Sequence, residues 1–289
     1  MDAVIDIGSN SVRLCFMENK IVNPKKVSTT FLSENLAITG SLLPEAIERT
    51  TSAIINFINE AKQKGADRIF VFGTEAMRSG KNAYVVSEIV QNATGISIDV
   101  ISGSDEALCG FIGANAQNEK VCVIDIGGAS IELVQGEKQI ENGLSLPIGV
   151  MRVRDICNND RQKTHDYYSE QVKKYPRFTY KAVGIGGTAT SLSAMVKKMQ
   201  TYDATSNHGS VITLDELIKL EDQIYACKDS EDIAKTFPSI GEKRARVIGI
   251  GCIALIEILK YLNKTEFTVS EHDNIEGYYA LKTQQANKN

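Results

Sequence analysis

Two short stretches carry residue types suited to chemistry on an anion: Asp6-Ile7-Gly8-Ser9-Asn10-Ser11 and Asp125-Ile126-Gly127-Gly128-Ala129-Ser130. Each follows an apolar run, Val4-Ile5 or Val123-Ile124, and leads into a second one, Val12-Arg13-Leu14-Cys15-Phe16 or Ile131-Glu132-Leu133-Val134. The spacing predicts two β-hairpins with glycine and hydroxyl residues at their tips. Glycine lets the backbone approach a phosphate closely, N–H groups and hydroxyls solvate it, and a strand-end carboxylate suits a hard cation that bridges phosphate oxygens. A third glycine turn, Gly184-Ile185-Gly186-Gly187-Thr188, lies between a predicted strand over 181–186 and a helix opening at Thr188. Unpartnered N–H groups at a helix start favour an anion there, although close helix–strand packing demands glycine too. The turn has the spacing of neither a P-loop nor a G-x-G-x-x-G fingerprint, so its weight comes from standing in order after two hairpins.

The elements that must position these turns alternate strand with helix, twice over. Apolar residues from Ala46 to Ala61 line one face of a predicted helix over 41–65, with Ser41 as cap and Pro44 in the first turn. A strand over 68–73, a helix over 82–94, a strand over 98–102 and a helix over 104–116 opened by Ser104 complete the first set. The second set begins near Lys120. It holds its own hairpin, a helix after Gly149, the 181–186 strand, helices between 214 and 262, a strand over 267–270 and a final helix. No low-complexity linker separates the sets, so a tight hinge is expected near 116–120, with domains over 1–118 and 119–289. The closing segment, about 274–289, is expected to pack back on the first domain.

At 289 residues, 43% hydrophobic and 24% charged, the chain has enough apolar residues for two cores. Nothing approaches the roughly 18 apolar residues of a membrane span, and Met1-Asp2-Ala3-Val4 enters a strand directly, so no membrane partner and a cytoplasmic location are expected. The six cysteines form no C-x-x-C pair and read as reduced packing residues. A formal net charge of −4 argues against a general nucleic-acid binder, so a polyanion must be drawn by local positive charge.

The ordered set of turns resembles the superfamily of actin-like ATPases, sugar and acetate kinases and the heat-shock chaperone ATPase domain. Five motifs resemble one family within it: Asp6 to Leu14, Gly73 to Asn82 (which contains Arg78), Ile101 to Ala107, Asp125 to Leu133, and Leu146-Pro147-Ile148-Gly149. They match, in order, the exopolyphosphatase and guanosine-pentaphosphate phosphohydrolase family. The resemblance continues more loosely through Gly184 to Thr188 and Val269-Ser270-Glu271. It implies an α/β fold of two duplicated ribonuclease H-like domains with the active site in the cleft between them. It also implies Mg²⁺-dependent (or Mn²⁺-dependent) hydrolysis of a terminal phosphoanhydride. The implied catalytic residue is Glu106, orienting or deprotonating water. The implied phosphate clamp comprises Ser9, Asn10, Ser11, Arg13, Arg78, Gly127, Gly128, Ser130, Gly186, Gly187 and Thr188, and the implied metal carboxylates are Asp125, Glu132 and Asp6. Inorganic polyphosphate is the expected substrate. Guanosine pentaphosphate is the alternative, a non-catalytic sensor of polyphosphate or nucleotide is a third reading, and homodimerisation is left open. Longer members carry a C-terminal HD-like part; this chain is expected to lack it.

Each assignment has a plainer rival. Asp105 and Glu106 in a first helical turn favour the helix dipole whatever else they do. Glu132 and Arg13 could alternate towards solvent, and Arg78 could be a surface charge. Lys197-Lys198 and Arg152-Val153-Arg154 read as solvated faces. The chain also departs from the family pattern. Ala129 stands for a third glycine and Ile131 for a threonine, Arg244-Ala245-Arg246 stands for Arg-Ala-Asp, and Asp273-Asn274-Ile275-Glu276-Gly277 lacks the usual arginine. A working cradle requires Ala129 to avoid positive φ.

Overall fold

The structure is a computed structural model that describes residues 1–18, 20–115 and 117–286. Ala116, in the expected hinge and at the end of the 104–116 helix, and the last residues of the 274–289 segment lie outside the described residues. The first unit runs β1 (Asp2–Ile7), β2 (Ser11–Met17), β3 (Lys25–Thr29), α1 (Leu36–Thr39), α2 (Pro44–Gln63), β4 (Ile69–Gly73), α3 (Glu75–Ser79), α4 (Tyr84–Thr94), β5 (Asp99–Val100) and α5 (Gly103–Ala114). The second opens with β6 (Val121–Ile126), β7 (Ile131–Gly136), β8 (Ile140–Leu146), α6 (Val150–Cys157), α7 (Arg161–Gln171), β9 (Lys181–Ile185) and α8 (Gly186–Val196). It continues through α9 (Ala204–Asn207), β10 (Val211–Thr213), α10 (Leu214–Ala226), α11 (Ser230–Thr236), α12 (Glu242–Tyr261), β11 (Glu266–Val269) and α13 (Asn274–Ala286).

The two sheets repeat one topology. Strand order is β3-β2-β1-β4-β5 in the first and β8-β7-β6-β9-β11 in the second, with β10 added beyond β11. β1 and β6 are central and wholly buried, as their unbroken apolar runs require. Each pairs antiparallel with its hairpin partner and parallel with the strand after the next helices. The hairpin register sets Asp6 opposite Arg13 and Asp125 opposite Glu132. Directly opposed residues share one face of a sheet, so the register alone brings each acid beside its neighbour.

α13 leaves the second unit and packs on the first, where Tyr278 stacks on Phe72 with ring centroids 4.4 Å apart. It crosses α5 at Gly277 so closely that a Cβ there would lie 1.8 Å from the Cys109 carbonyl oxygen. Only glycine permits that approach, and α5 is the helix whose first turn presents Glu106.

Local expectations need four corrections. Leu43 rather than Ser41 precedes α2; the residue before Pro44 is held in extended backbone, here φ −70° and ψ 142°, and its apolar side chain offers no acceptor for a cap. Ser102, not Ser104, caps α5 by accepting from the Asp105 N–H at 3.1 Å. α8 starts at Gly186 rather than Thr188, with Gly186 at φ +72° making the turn. The edge strands β3, β8 and β10 were not foreseen, since half-exposed Lys25–Thr29 and mostly exposed Ile140–Leu146 carry little apolar alternation. Cysteines are unpaired, all buried except half-buried Cys227. No described helix is long and apolar enough to cross a membrane.

Candidate active site

A cavity of about 830 Å³ runs between the hairpin tips of the two units. Of the residues singled out above, all line it except Arg78 and Glu132. The tips meet: a Cβ on Gly128 would lie 2.8 Å from the Ser9 Cβ and 3.2 Å from the Asn10 nitrogen. Each tip is closed by one bond across the turn, Gly8 N–H to the Ser11 carbonyl and Gly127 N–H to the Ser130 carbonyl, both 3.0 Å. The N–H groups of Ser9, Asn10, Gly128 and Ala129 then find no acceptor among the described residues. Ala129 is buried and does not adopt positive φ. The substituted turn therefore keeps an L-residue backbone and still presents unpaired N–H groups. Ile131, the other departure in this hairpin, is fully buried in the second core.

Glu106 enters the cavity from the first turn of α5. Arg78 Nη2 donates to Glu106 Oε2 at 2.7 Å and to Glu75 Oε2 at 2.8 Å, while Arg78 Nη1 donates to the Ile101 carbonyl at 2.7 Å. Arg78 thus stands behind the cavity wall and fixes one oxygen of Glu106, leaving Oε1 without a partner among the described residues. Burial pushes the Glu106 carboxyl up to about 7; Arg78 opposes the rise, and Asp125 and Asp6 add to it. Asp125 is likewise raised to about 7 by burial and by repulsion from Asp273, while Arg13 and the Asn274 amide, donating to Oδ2 at 2.9 Å, pull it down.

Arg13 faces the cavity, but its guanidinium is already committed. Nε donates to Asp6 Oδ2 at 2.8 Å and Nη1 pairs with Asp273. Lys25 Nζ lies 3.0 Å from Asp273 and 3.1 Å from Glu276. Although burial works against it, these two cations hold Asp273 well below the usual carboxylate range. Glu132 sits out of the cavity, accepts from Ser145 Oγ at 2.5 Å, and is pushed far up by burial and by Glu106. Thr188 Oγ1 donates to the Ile126 carbonyl at 2.8 Å, tying α8 to the end of β6. Arg152, assigned above to a solvated face, reaches across to within 3.9 Å of Glu75.

Hairpin patterns miss three site residues. Asp273 and Asn274, at the start of α13, reach Arg13 and Asp125. Arg244, in the first turns of α12, lines the cavity with no carboxylate partner among the described residues, and a Cβ on Gly187 would meet its Nη2 at 2.3 Å. Burial, then Arg13, lowers it to about 10. Its arginine-pair motif in the sequence was a usable signal.

No three His, Cys, Asp or Glu side chains among the described residues converge into a metal cage. Asp6 and Asp125 nevertheless face the cavity from the two hairpins, and Asp6 Oδ1 is buried with no hydrogen-bond partner. That donor set fits Mg²⁺, which binds through one or two carboxylates and leaves its other positions to water and phosphate oxygens.

Two facing hairpin tips with unpaired N–H groups, a buried carboxyl in the same cavity and two repeated α/β units make a cleft with the donors to take an anion. The chain belongs to the Ppx/GppA phosphatase family, which matches residues 4–281. Exopolyphosphatase 2 of Mycobacterium tuberculosis is 27% identical over 95% of this chain and 96% of its own. A bifunctional 3-dehydroquinate synthase/phosphatase of Fusobacterium nucleatum is 31% identical over 95% of this chain, which spans only 45% of that protein. The crystal structure of the Aquifex aeolicus Ppx/GppA family member superposes with a TM-score of 0.80 and 27% identity, covering 99% of this chain and 98% of the other.

Proposed function

We propose that the protein is an exopolyphosphatase that removes the terminal orthophosphate of inorganic polyphosphate with water as nucleophile. The observation that carries this reading is Glu106: buried, near neutrality in its proton affinity, held at one oxygen by Arg78 and unpaired at the other. A carboxyl poised near 7 accepts a proton from water effectively at neutral pH. The N–H groups of both tips and the Arg244 guanidinium supply fixed dipoles and charge for the terminal phosphates, which phosphoryl transfer needs more than covalent help. Asp125 and Asp6 would hold Mg²⁺, whose contribution when bound is to neutralise charge on the phosphate oxygens.

A second reading is favoured by one observation. Beyond the tips, the cavity is walled by Val22, Pro24, Val27 and Tyr202; Lys25 there is already paired, and Lys243 donates to the Thr29 carbonyl at 3.1 Å. Apolar walls with few cations suit an organic group behind a short phosphate chain, as in guanosine pentaphosphate. Phosphate release from long polyphosphate, tripolyphosphate, guanosine pentaphosphate and ATP, each with Mg²⁺, separates the readings. Turnover of polyphosphate and tripolyphosphate is expected. Turnover of guanosine pentaphosphate alone installs the second reading, and tight binding without phosphate release from any of them overturns both in favour of a sensor.

A further inference from the structure

A second cavity, of about 620 Å³, lies in the second unit away from the hairpin tips, between the end of α6, the α10–α11 connection and the exposed flank of α12. Its size falls within the roughly 300–1,000 Å³ of small-molecule sites. The apolar lining comes from Ile224, Ile233 and Ile250 and from Tyr225, over whose ring the Arg161 guanidinium lies at 5.3 Å. Three cations surround this lining: Arg154, Lys228 and Arg246.

Arg154 and Arg246 each have one carboxylate within reach, and Arg246 also lies over the Phe31 ring at 5.8 Å. Arg154 Nη2 is 3.3 Å from its chain neighbour Asp155, and Arg246 Nη2 is 3.4 Å from Glu242, both of the latter pair about half exposed. Lys228 has no carboxylate partner among the described residues. The acid in the lining, Asp229, turns an oxygen away to cap α11, accepting from the Asp232 N–H at 2.9 Å. An apolar and aromatic lining suits an apolar body, and three lining cations against one lining acid favour negative charge on it. The two helices contributing Arg154 and Arg246 both begin at the phosphate cleft: the Val150 N–H of α6 donates to the Gly127 carbonyl, and α12 presents Arg244.

We propose that this second cavity binds a small organic anion with an apolar or aromatic body, at a site separate from the phosphate cleft. Cys227 lines the cavity and is the cysteine that is not buried, so its thiol reports occupancy. The probe is 8-anilinonaphthalene-1-sulfonate, titrated by its fluorescence while the rate of Cys227 modification by a maleimide is followed. Saturable binding is expected to slow Cys227 modification at least about tenfold at the same midpoint. Arg154→Ala combined with Arg246→Ala should weaken the probe by about tenfold or more, the size of a lost charge-assisted contact, and the double lysine variant should recover part of that loss. Arg246 is half exposed whereas Arg154 is 18% exposed beside Asp155, so far-ultraviolet circular dichroism and urea unfolding check that the variants stay folded. Unprotected Cys227 at saturating probe, or a midpoint within twofold in the double alanine variant, overturns the proposal.

Discussion

Replacing Glu106 with glutamine separates two consequences of burying one carboxyl. The ordinary value of 4.5 rises to about 7 in the fold, so the folded protein binds this proton more tightly than the unfolded chain. Between those two values stability falls as pH rises, and above about 7 the full penalty is present. At about 1.4 kcal/mol per pH unit, the penalty is about 3 kcal/mol. Glu106→Gln keeps the size of the side chain and an oxygen able to accept from Arg78, but it has no proton to lose. Part of the penalty is already present at pH 5, so urea unfolding of both proteins at pH 5 and pH 8.5 should show the variant gaining about 2–3 kcal/mol relative to wild type at the higher pH. Comparing the difference at two pH values cancels any constant loss at the Arg78 contact. Asp125 is raised to a similar value and repels Glu106, so the two titrate as a pair, and part of the gain will be read through Asp125.

The same substitution should cost roughly 10²–10⁴ in kcat, as expected for loss of a general base. It should also shift the acid limb of the pH profile, which in wild type rises through about 7 as the buried pair ionises, and leave only the part that Asp125 contributes. Retention of kcat within about threefold would refute the assignment of Glu106 as the base. An acid limb of unchanged midpoint in the glutamine variant would refute it equally, and a pH-independent stability difference would refute the burial reasoning.

Phosphate release should require Mg²⁺ or Mn²⁺ and stop with chelator, and Asp125→Asn should raise the Mg²⁺ concentration giving half-maximal rate; unchanged activity in chelator would contradict both. Arg244→Ala should raise KM for polyphosphate at least about tenfold, since it removes an unpaired cation from the cleft, and an unchanged KM in steady-state assays would place the phosphates elsewhere. Gly128→Ala should separate the tips, because its Cβ would sit 2.8 Å from that of Ser9, and cost at least about tenfold in kcat/KM, whereas Ala129→Gly should change it by less than about tenfold. Reversed rankings of those two variants would mean that the tip contact is unimportant.

Both hairpins were legible because their pattern is local: strand, acid, glycine turn and strand within a dozen or so residues. The repeat of sheet order follows from repeating that unit, and α13, at the end of the chain, packs on α5. The edge strands were not legible, since a strand with one exposed face and few apolar residues leaves little periodicity. Asp6, Glu106, Asp125 and the tip residues line one cavity. The partners of Arg13 and Glu132 could have been read one step further, because a hairpin closed at Ile7↔Val12 must place Asp6 against Arg13. Asp273, Asn274 and Arg244 come from the far end of the chain, and no local pattern states which hairpin residue they meet.

The charge inventory of the cleft explains why the departures at Ala129 and Ile131 leave it intact. Arg13 and Lys25 are balanced by Asp6, Asp273 and Glu276, and Arg78 by Glu75 and Glu106. Arg244 is thus the cavity-lining arginine without a carboxylate partner, and the tips contribute mainly backbone N–H groups. A substitution that preserves backbone direction, as Ala129 does by avoiding positive φ, removes none of those donors. Ile131 turns its side chain into the core, and its carbonyl accepts from the Tyr175 hydroxyl at 2.6 Å, so the lost hydroxyl is a loss to the core rather than to the cleft. Arg244 and Lys243, neither with a carboxylate partner among the described residues, cannot by themselves balance the negative charge of several phosphates, so further cations must arrive with the substrate. Dependence on a divalent ion is therefore expected to be steep, and it should be steepest in Arg244→Ala, where the cavity's unpaired guanidinium is gone.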